Sequence, residues 1–364
     1  MRPAPSPEQE ELQRAARDLL VREVTPDRLL RWESDERGYD PALRKTIADL
    51  GWIGLGVAPD AGGSGASLVD VACLLEECAR GLLPRPLIGA IRSAHAVGLI
   101  DPGASVLPSL VRGEKSLALA LDEAQVRDPA RLRTRAKEVT GRTVVEGAKA
   151  FVPDAAGADA HLVAARDGGD LALLVVDTGG PGVVLDPVRT FGNDRQAHVR
   201  YAGALVSARL SLPGRGTAAL ESIRRQQVAL ALAEMVGGMA AVLDMTVAYV
   251  KEREQFGQKI AVFQAVRHQL ADMGTSFTAA RHLAWQAICR VARGNEQGTE
   301  LATATAYVGQ GFKRLCWAGH HLHGGAGFVV EHALRFHSER AQSLCIRYAP
   351  EAPALAEIAA ALLD

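Results

Sequence analysis

The chain has 364 residues, 48% hydrophobic and 23% charged, with 41 Lys+Arg against 42 Asp+Glu and a formal net charge of -1. That length supplies two or three domains with real cores, and the balanced charge excludes a protein held to nucleic acid or anionic lipid by bulk electrostatics. Aromatics at 5% argue against a sugar- or base-stacking surface. No apolar run approaches the ~20 residues needed to cross a bilayer, and the first eleven residues carry Pro and acids where a secretory signal has a basic stretch and an apolar core. The five cysteines are odd in number and form no CxxC pair, so a soluble protein of a reducing cytoplasm is expected, without a disulfide framework or thiolate zinc site.

Three zones follow along the chain: 1–114, 115–212 and 213–364. The first reads as helices. Ser6-Pro7 with Gln9 gives a hydroxyl cap, a proline at the first helical position and a capping-box partner. Leu12, Ala15, Ala16, Leu19 and Leu20 then recur on one face. Asp40-Pro41 opens a second helix that Gly51 closes, and Ser67 caps a third running to Gly81. In the second zone the period changes to short β-rich runs: 116–121, 142–145, 161–165, 171–176, 182–185 and 197–212. Glycine-rich turns such as Asp167-Gly168-Gly169-Asp170 separate them, and no amphipathic helices intervene, which favours an antiparallel sandwich or barrel over a parallel sheet. The third zone returns to helices. A long helix over 223–250 is apolar on more than one face, and segments from Phe263 to Phe277, 299–322, 331–348 and 353–363 complete a bundle.

Several apparent motifs weaken on inspection. Gly62-Gly63-Ser64-Gly65 follows no strand and is followed by no Lys-Ser/Thr, so it reads as a close-approach loop and not as a phosphate loop. His320, His321 and His323 with Cys316 suggest a metal site, but His320 and His321 cannot share a helical face and no carboxylate stands at HExxH spacing. Ser116, Ser222 and Ser343 lack a GxSxG elbow or recognisable triad.

Two stretches carry more. In Arg253-Glu254-Gln255-Phe256-Gly257-Gln258-Lys259-Ile260-Ala261-Val262-Phe263-Gln264, one helix ends, Gly257 permits a sharp break, and another helix starts. A guanidinium, an amide and aromatic rings at one corner suit a dinucleotide: Arg253 for phosphate charge, Phe256 for a flat ring, Gln264 for hydrogen bonds. The same residues also describe an ordinary helix–helix corner. In His323-Gly324-Gly325-Ala326-Gly327-Phe328, glycines at a helix end expose backbone N–H groups to phosphate or ring edges, or simply form a turn.

In this order, within a helix–β–helix chain, the two stretches resemble the acyl-CoA dehydrogenase family over nearly the whole length, most of all its smaller actinobacterial branch. Ala271-Asp272-Met273 and Gly147-Ala148-Lys149-Ala150-Phe151-Val152 look like further family landmarks. The resemblance implies an α+β, mainly α fold: an N-terminal helical domain, a middle antiparallel β-domain and a C-terminal four-helix bundle. It implies FAD as cofactor, with Arg253, Gln255, Phe256, Phe263 and Gln264 reaching the FAD of a neighbouring chain. His323, Gly324 and Gly325 then lie on the adenosine-pyrophosphate side. It also implies an acyl-CoA thioester substrate from fatty acid or sterol metabolism, an electron-transfer acceptor, and assembly as a homo- or hetero-oligomer with another chain of the family.

The departures bear on chemistry. α,β-Dehydrogenation needs a carboxylate to take the α-proton. The usual C-terminal glutamate position falls near Arg347-Tyr348-Ala349, with Glu351 displaced beyond Pro350, and the other usual position falls near Gln226 or Gln227. Neither place offers a base. The family's flavin loop is replaced by Leu119-Ala120-Leu121-Asp122-Glu123, and Pro153 stands where a hydroxyl often faces the flavin. Glu331 matches a glutamate that family members carry without using it as the base. Glu234, alone in an uncharged stretch over 228–239, is the candidate base, or else a buried structural partner. Three functions remain open on the sequence: dehydrogenation of an acyl-CoA thioester, alone or as one subunit; a non-catalytic partner completing a neighbour's FAD or acyl site; and a flavin oxidase or monooxygenase on the same scaffold.

Overall fold

The structure, a computed structural model, describes residues 5–126, 128–192, 194–294 and 299–363. The first four residues of the N-terminal stretch read above lie outside it. In chain order the helices α1 (Pro7–Glu23), α2 (Pro26–Ser34), α3 (Pro41–Asp49), α4 (Leu68–Arg80), α5 (Arg85–Ile100) and α6 (Leu107–Val111) come first. The strands β1 (Leu117–Ala120), β2 (Arg135–Val139), β3 (Arg142–Pro153), β4 (Ala160–Asp167), β5 (Asp170–Asp177), β6 (Val183–Val188) and β7 (Gln196–Arg209) follow. Then come α7 (Gly216–Glu252), the short hairpin β8 (Glu254–Gln255) and β9 (Gln258–Lys259), α8 (Gln264–Ala292), α9 (Glu300–His323), α10 (Ala333–Tyr348) and α11 (Glu351–Leu363). This is the expected order of N-terminal helices, middle β-domain and C-terminal helices.

Local chemistry sets several boundaries where the sequence placed them. Ser6 and Gln9 form a reciprocal capping box on α1, and Ser67 with Asp70 forms another on α4. Asp40 caps α3 through the Ala42 N–H, and Gly51 leaves the helix at φ +76°. β2 went unread because its residues, Arg-Ala-Lys-Glu-Val, are almost all exposed and show no apolar alternation. α7 begins seven residues earlier than expected, held by Asp170, which accepts from the Gly216 N–H (3.1 Å) and the Thr217 hydroxyl (3.0 Å).

Among the described residues, one compact unit gathers the stretches up to 31, 67–83 and from 226 onward, and a second gathers 32–66 and 84–225. The units interleave the three sequence zones. In the second unit the sheet runs β1-β4-β2-β3-β7-β5, with β4 also pairing β5, so strands β4, β2, β3, β7 and β5 close on themselves. Pairing is antiparallel except where β1 and β2 meet β4. The expectation of an antiparallel barrel or sandwich therefore holds with two parallel contacts. Val145, Val163, Leu174, Val199 and Tyr201 fill its interior.

A buried ion pair sits on this sheet. Lys149 Nζ lies 3.0 Å from Glu123 Oε1, with their side chains 0% and 6% exposed. Glu123 also accepts from the N–H groups of Arg133 (2.8 Å) and Thr134 (2.9 Å), tying the irregular segment after β1 to β3. Burial pushes the Lys149 ammonium down to about 8 against the pull of Glu123. Burial also works against the Glu123 carboxylate, yet Lys149 and the two backbone donors hold it below the usual range.

The first unit is a helical bundle around Met235, Val236, Met239, Val308, Phe312 and Leu315. α7 is long and apolar enough to span a bilayer, against the sequence expectation that no segment is, but 78% of its most apolar window is buried by the protein itself. It is a core helix. Two glycines set its approach distances: a Cβ on Gly237 would lie 1.9 Å from the Glu76 carbonyl oxygen, and one on Gly238 would lie 2.3 Å from the Phe312 ring.

Removing one partner of a buried pair leaves the other charge uncompensated. Glu123→Gln is therefore expected to destabilise the protein by about 3–5 kcal/mol in urea unfolding. Glu114→Gln, which breaks a surface pair with Arg112 exposed at both ends, should leave the midpoint unchanged.

Candidate functional site

The last turn of α7 leads directly into the corner. The Arg253 N–H closes the helix on the Tyr249 carbonyl (2.9 Å), and the Ile260 N–H returns to the Arg253 carbonyl (2.9 Å). Between them β8 and β9 pair Glu254 with Lys259 and Gln255 with Gln258. The two linking residues both have positive φ, Phe256 at +54° and Gly257 at +77°. A two-residue hairpin of this hand requires that conformation. Glycine adopts it without strain, whereas for phenylalanine it is uncommon. The result is that Phe256 projects with 92% of its surface exposed, edge-on to Phe263 at 6.1 Å.

Phe263 precedes α8 without supplying a side-chain cap, and Gln264 is the exposed first helical residue. Arg253 and Gln255 are exposed as well, although the Gln255 amide donates to the Glu254 carbonyl at 2.8 Å. Lys259 Nζ donates to the Glu252 carbonyl (3.0 Å), and Arg267 Nε to the Ala261 carbonyl (3.0 Å). Backbone bonds and long side chains thus fix the corner and leave Arg253, Gln255, Phe256 and Gln264 exposed.

The glycine stretch forms a short helical turn, Gly324–Phe328, at the end of α9. Gly324 has φ +57°, and a Cβ on either Gly324 or Gly325 would meet nothing within 4 Å. Both are exposed, so the backbone here is open to a ligand. His323 is 3% exposed, with Nδ1 donating to the Gly319 carbonyl at 2.8 Å. That bond leaves Nε2 as the bare nitrogen of the neutral ring, and it has no hydrogen-bond partner among the described residues. His323 stacks on Tyr249 (4.4 Å, 24° between planes) and meets the edge of His332 at 5.0 Å. His320 stacks on Phe328 at 4.6 Å and its Nε2 reaches the Ser338 hydroxyl at 2.7 Å. No group of three metal-ligating side chains is assembled among the described residues.

A guanidinium, two carboxamides, two aromatic rings and an unobstructed glycine backbone are the groups that fit a dinucleotide: charge for pyrophosphate, flat rings for its planar groups, N–H donors for its oxygens. Tyr249, which touches both stretches, went unnoticed in the sequence. Its contact with His323 crosses 74 positions, and no local signal reports it.

The other candidates lie elsewhere. Glu234 is 5% exposed on α7, 19 residues before Arg253 and so about 28 Å from it along the helix axis. It faces α4: burial first, then Glu234 and Glu77, pushes the Cys78 thiol well up, and the Arg340 guanidinium opposes them. Arg340 also donates to the carbonyls of Leu82 (3.1 Å) and Leu83 (2.8 Å). Glu234 is thus buried on α7 within electrostatic reach of Cys78 on α4. Gln227 is buried at 5% exposure. Arg347 is engaged with the Tyr348 hydroxyl (3.0 Å), and Glu351 accepts from Gln310 (2.5 Å).

Comparison with known proteins gives these features a class. The model of the acyl-CoA dehydrogenase N-terminal domain matches residues 6–105, and that of the C-terminal domain matches residues 214–348. The chain belongs to the acyl-CoA dehydrogenase family, a family of FAD-dependent oxidoreductases. It is 26% identical to acyl-CoA dehydrogenase IpdE2 of Mycobacterium tuberculosis over 339 residues, 93% of this chain and 92% of that protein. Among solved structures it is similar to the Tcur3481-Tcur3483 steroid ACAD, at 29% identity and TM-score 0.88, covering 98% of this chain and 99% of that one. The ChsE4-ChsE5 complex of Mycobacterium tuberculosis shares the fold, at 24% identity and TM-score 0.90, with 99% and 98% of the two chains covered.

Four histidines on and next to α9 and α10 make acid sensitivity predictable. Burial, with Arg340 adding, pushes His337 down to about 3, and burial lowers His320, His323 and His332 as well. The folded state therefore refuses protons that the unfolded chain accepts below about 6.5. Stability is fully present above that pH and falls as pH drops toward 3, by about 1.4 kcal/mol per unit for His337 alone. The urea midpoint should fall between pH 7 and pH 5, and His337→Leu should flatten that dependence.

Proposed function

We propose that this chain takes part in the flavin-dependent α,β-dehydrogenation of an acyl-CoA thioester as one subunit of a hetero-oligomer, completing a neighbouring chain's FAD site through Arg253, Gln255, Phe256, Phe263 and Gln264. The observation that carries the reading is the outward corner itself. A phenylalanine held at positive φ and left 92% exposed suits a surface that another molecule covers. Gly324 and Gly325 supply the second half of the same cofactor surface, and His323, expected there as well, is buried behind them. FAD, when bound, supplies the acceptor for the hydride that leaves the substrate's β-carbon.

What this chain's own residues do is bind and orient. Arg253 offers charge-assisted hydrogen bonds to phosphate oxygens, the Phe256–Phe263 pair offers apolar ring surface, and Gln264 offers an amide at the open start of α8. Proton abstraction is the weak point. Glu234 is the one candidate base, yet its burial near Cys78 on α4 supports a structural role and a base contributed by the partner chain. The steroid ACAD relative, named for two proteins, agrees with assembly from unlike chains.

The chain purified with a second dehydrogenase-like chain should carry flavin, be bleached by acyl-CoA in the absence of oxygen, and regain its colour when an artificial electron acceptor is added. Reoxidation by O2 alone would point instead to an oxidase. Arg253→Ala should weaken flavin binding about 10-fold or more without lowering the thermal midpoint, because the side chain is exposed. Unchanged flavin content would remove the corner from the site. Glu234→Gln should lower thermal stability while leaving thioester-dependent flavin reduction in place; abolished reduction in a folded variant would instead identify Glu234 as the base.

A further inference from the structure

The two halves of the cofactor surface come from helices far apart in sequence, and one residue joins them. The Tyr249 carbonyl accepts the Arg253 N–H (2.9 Å), the last bond of α7 before the corner. Its ring lies nearly parallel to the His323 imidazole, with centroids 4.4 Å apart, and its hydroxyl donates to the His323 carbonyl at 3.3 Å. The peptide plane between His323 and Gly324 is thereby held from both sides. Its carbonyl is bound by Tyr249, and its N–H is bound by the His320 and His321 carbonyls of α9. The chain then turns at once through Gly324 at φ +57°, so the direction of the open glycine backbone follows from the orientation of that plane. His323 cannot turn independently, because Gly319 holds Nδ1 and His332 stands at its edge.

We propose that Tyr249 is a positioning residue that fixes the spacing between the Arg253–Gln264 corner and the Gly324-Gly325 turn, and so presents both to one dinucleotide. The proposal rests on the FAD reading above. The ring supplies most of the effect, since it packs over the whole imidazole, and the hydroxyl adds a single hydrogen bond.

Tyr249→Phe and Tyr249→Leu in the full chain, assembled with its second chain, separate the contributions. Three quantities are read: the FAD dissociation constant from flavin fluorescence quenching, the His323 ring-proton shift by NMR, and the thermal midpoint. Tyr249→Leu is expected to weaken FAD about tenfold and to abolish the ring-current shift of His323. Tyr249→Phe should keep that shift and weaken FAD only about threefold. Wild-type affinity in Tyr249→Leu, with the His323 signal moved, would overturn the positioning role while leaving the cofactor reading intact. Affinity that falls only in step with the thermal midpoint, with no rescue by Phe, would overturn it too and mark Tyr249 as a general packing residue. A wild-type assembly that takes up no FAD would sink the cofactor reading and the proposal with it.

Discussion

The helical unit is organised by the absence of two side chains. At Gly237 and Gly238, α7 lets the α4 backbone and the Phe312 ring approach to distances that any Cβ would block. That contact brings Glu76 and Glu77 of α4 into the interior, where each finds a partner: the Trp285 indole N–H at 2.9 Å and Arg281 at 3.6 Å for Glu76, and Arg17 at 2.7 Å for Glu77. Buried carboxylates are tolerated only when paired in this way. Glu234, three residues before Gly237, is buried on the same helix and near enough to Cys78 to help raise its thiol.

The corner obeys the opposite logic. Its chain path is held by the Arg253 and Ile260 backbone bonds and the β8–β9 pairing, while Arg253, Gln255, Phe256 and Gln264 stay exposed. An interior organised around close approach and a corner of exposed side chains meet in the last turn of α7. Tyr249 belongs to both, with its carbonyl committed to the helix end and its ring and hydroxyl committed to the start of the glycine turn.

In the second unit the buried Lys149–Glu123 pair does comparable work for the sheet. The segment between β1 and β2 has little regular structure, and Glu123 replaces the missing ladder with two backbone hydrogen bonds and an ion pair. The sequence marked both places as family features, Lys149 within a landmark and Glu123 within a departure from the flavin loop. Only the fold shows that they are partners.

The sequence by itself determined what depends on neighbours along the chain. The capping boxes at Ser6 and Ser67, the break at Gly257, the change from helical to β period near 115 and the order of zones all follow from residues within a few positions of each other. The candidate site was legible as two motifs for the same reason. Where that signal was weak, as in the charged and exposed β2, the element went unread. Tertiary structure alone decided what depends on contacts across many positions: the closure of the sheet through β4, the burial of a helix long enough to cross a membrane, the surroundings of Glu234, and the link from Tyr249 to His323. These rest on which faces meet after the chain has folded back on itself. Side-chain spacing along one helix does not specify its partners on another.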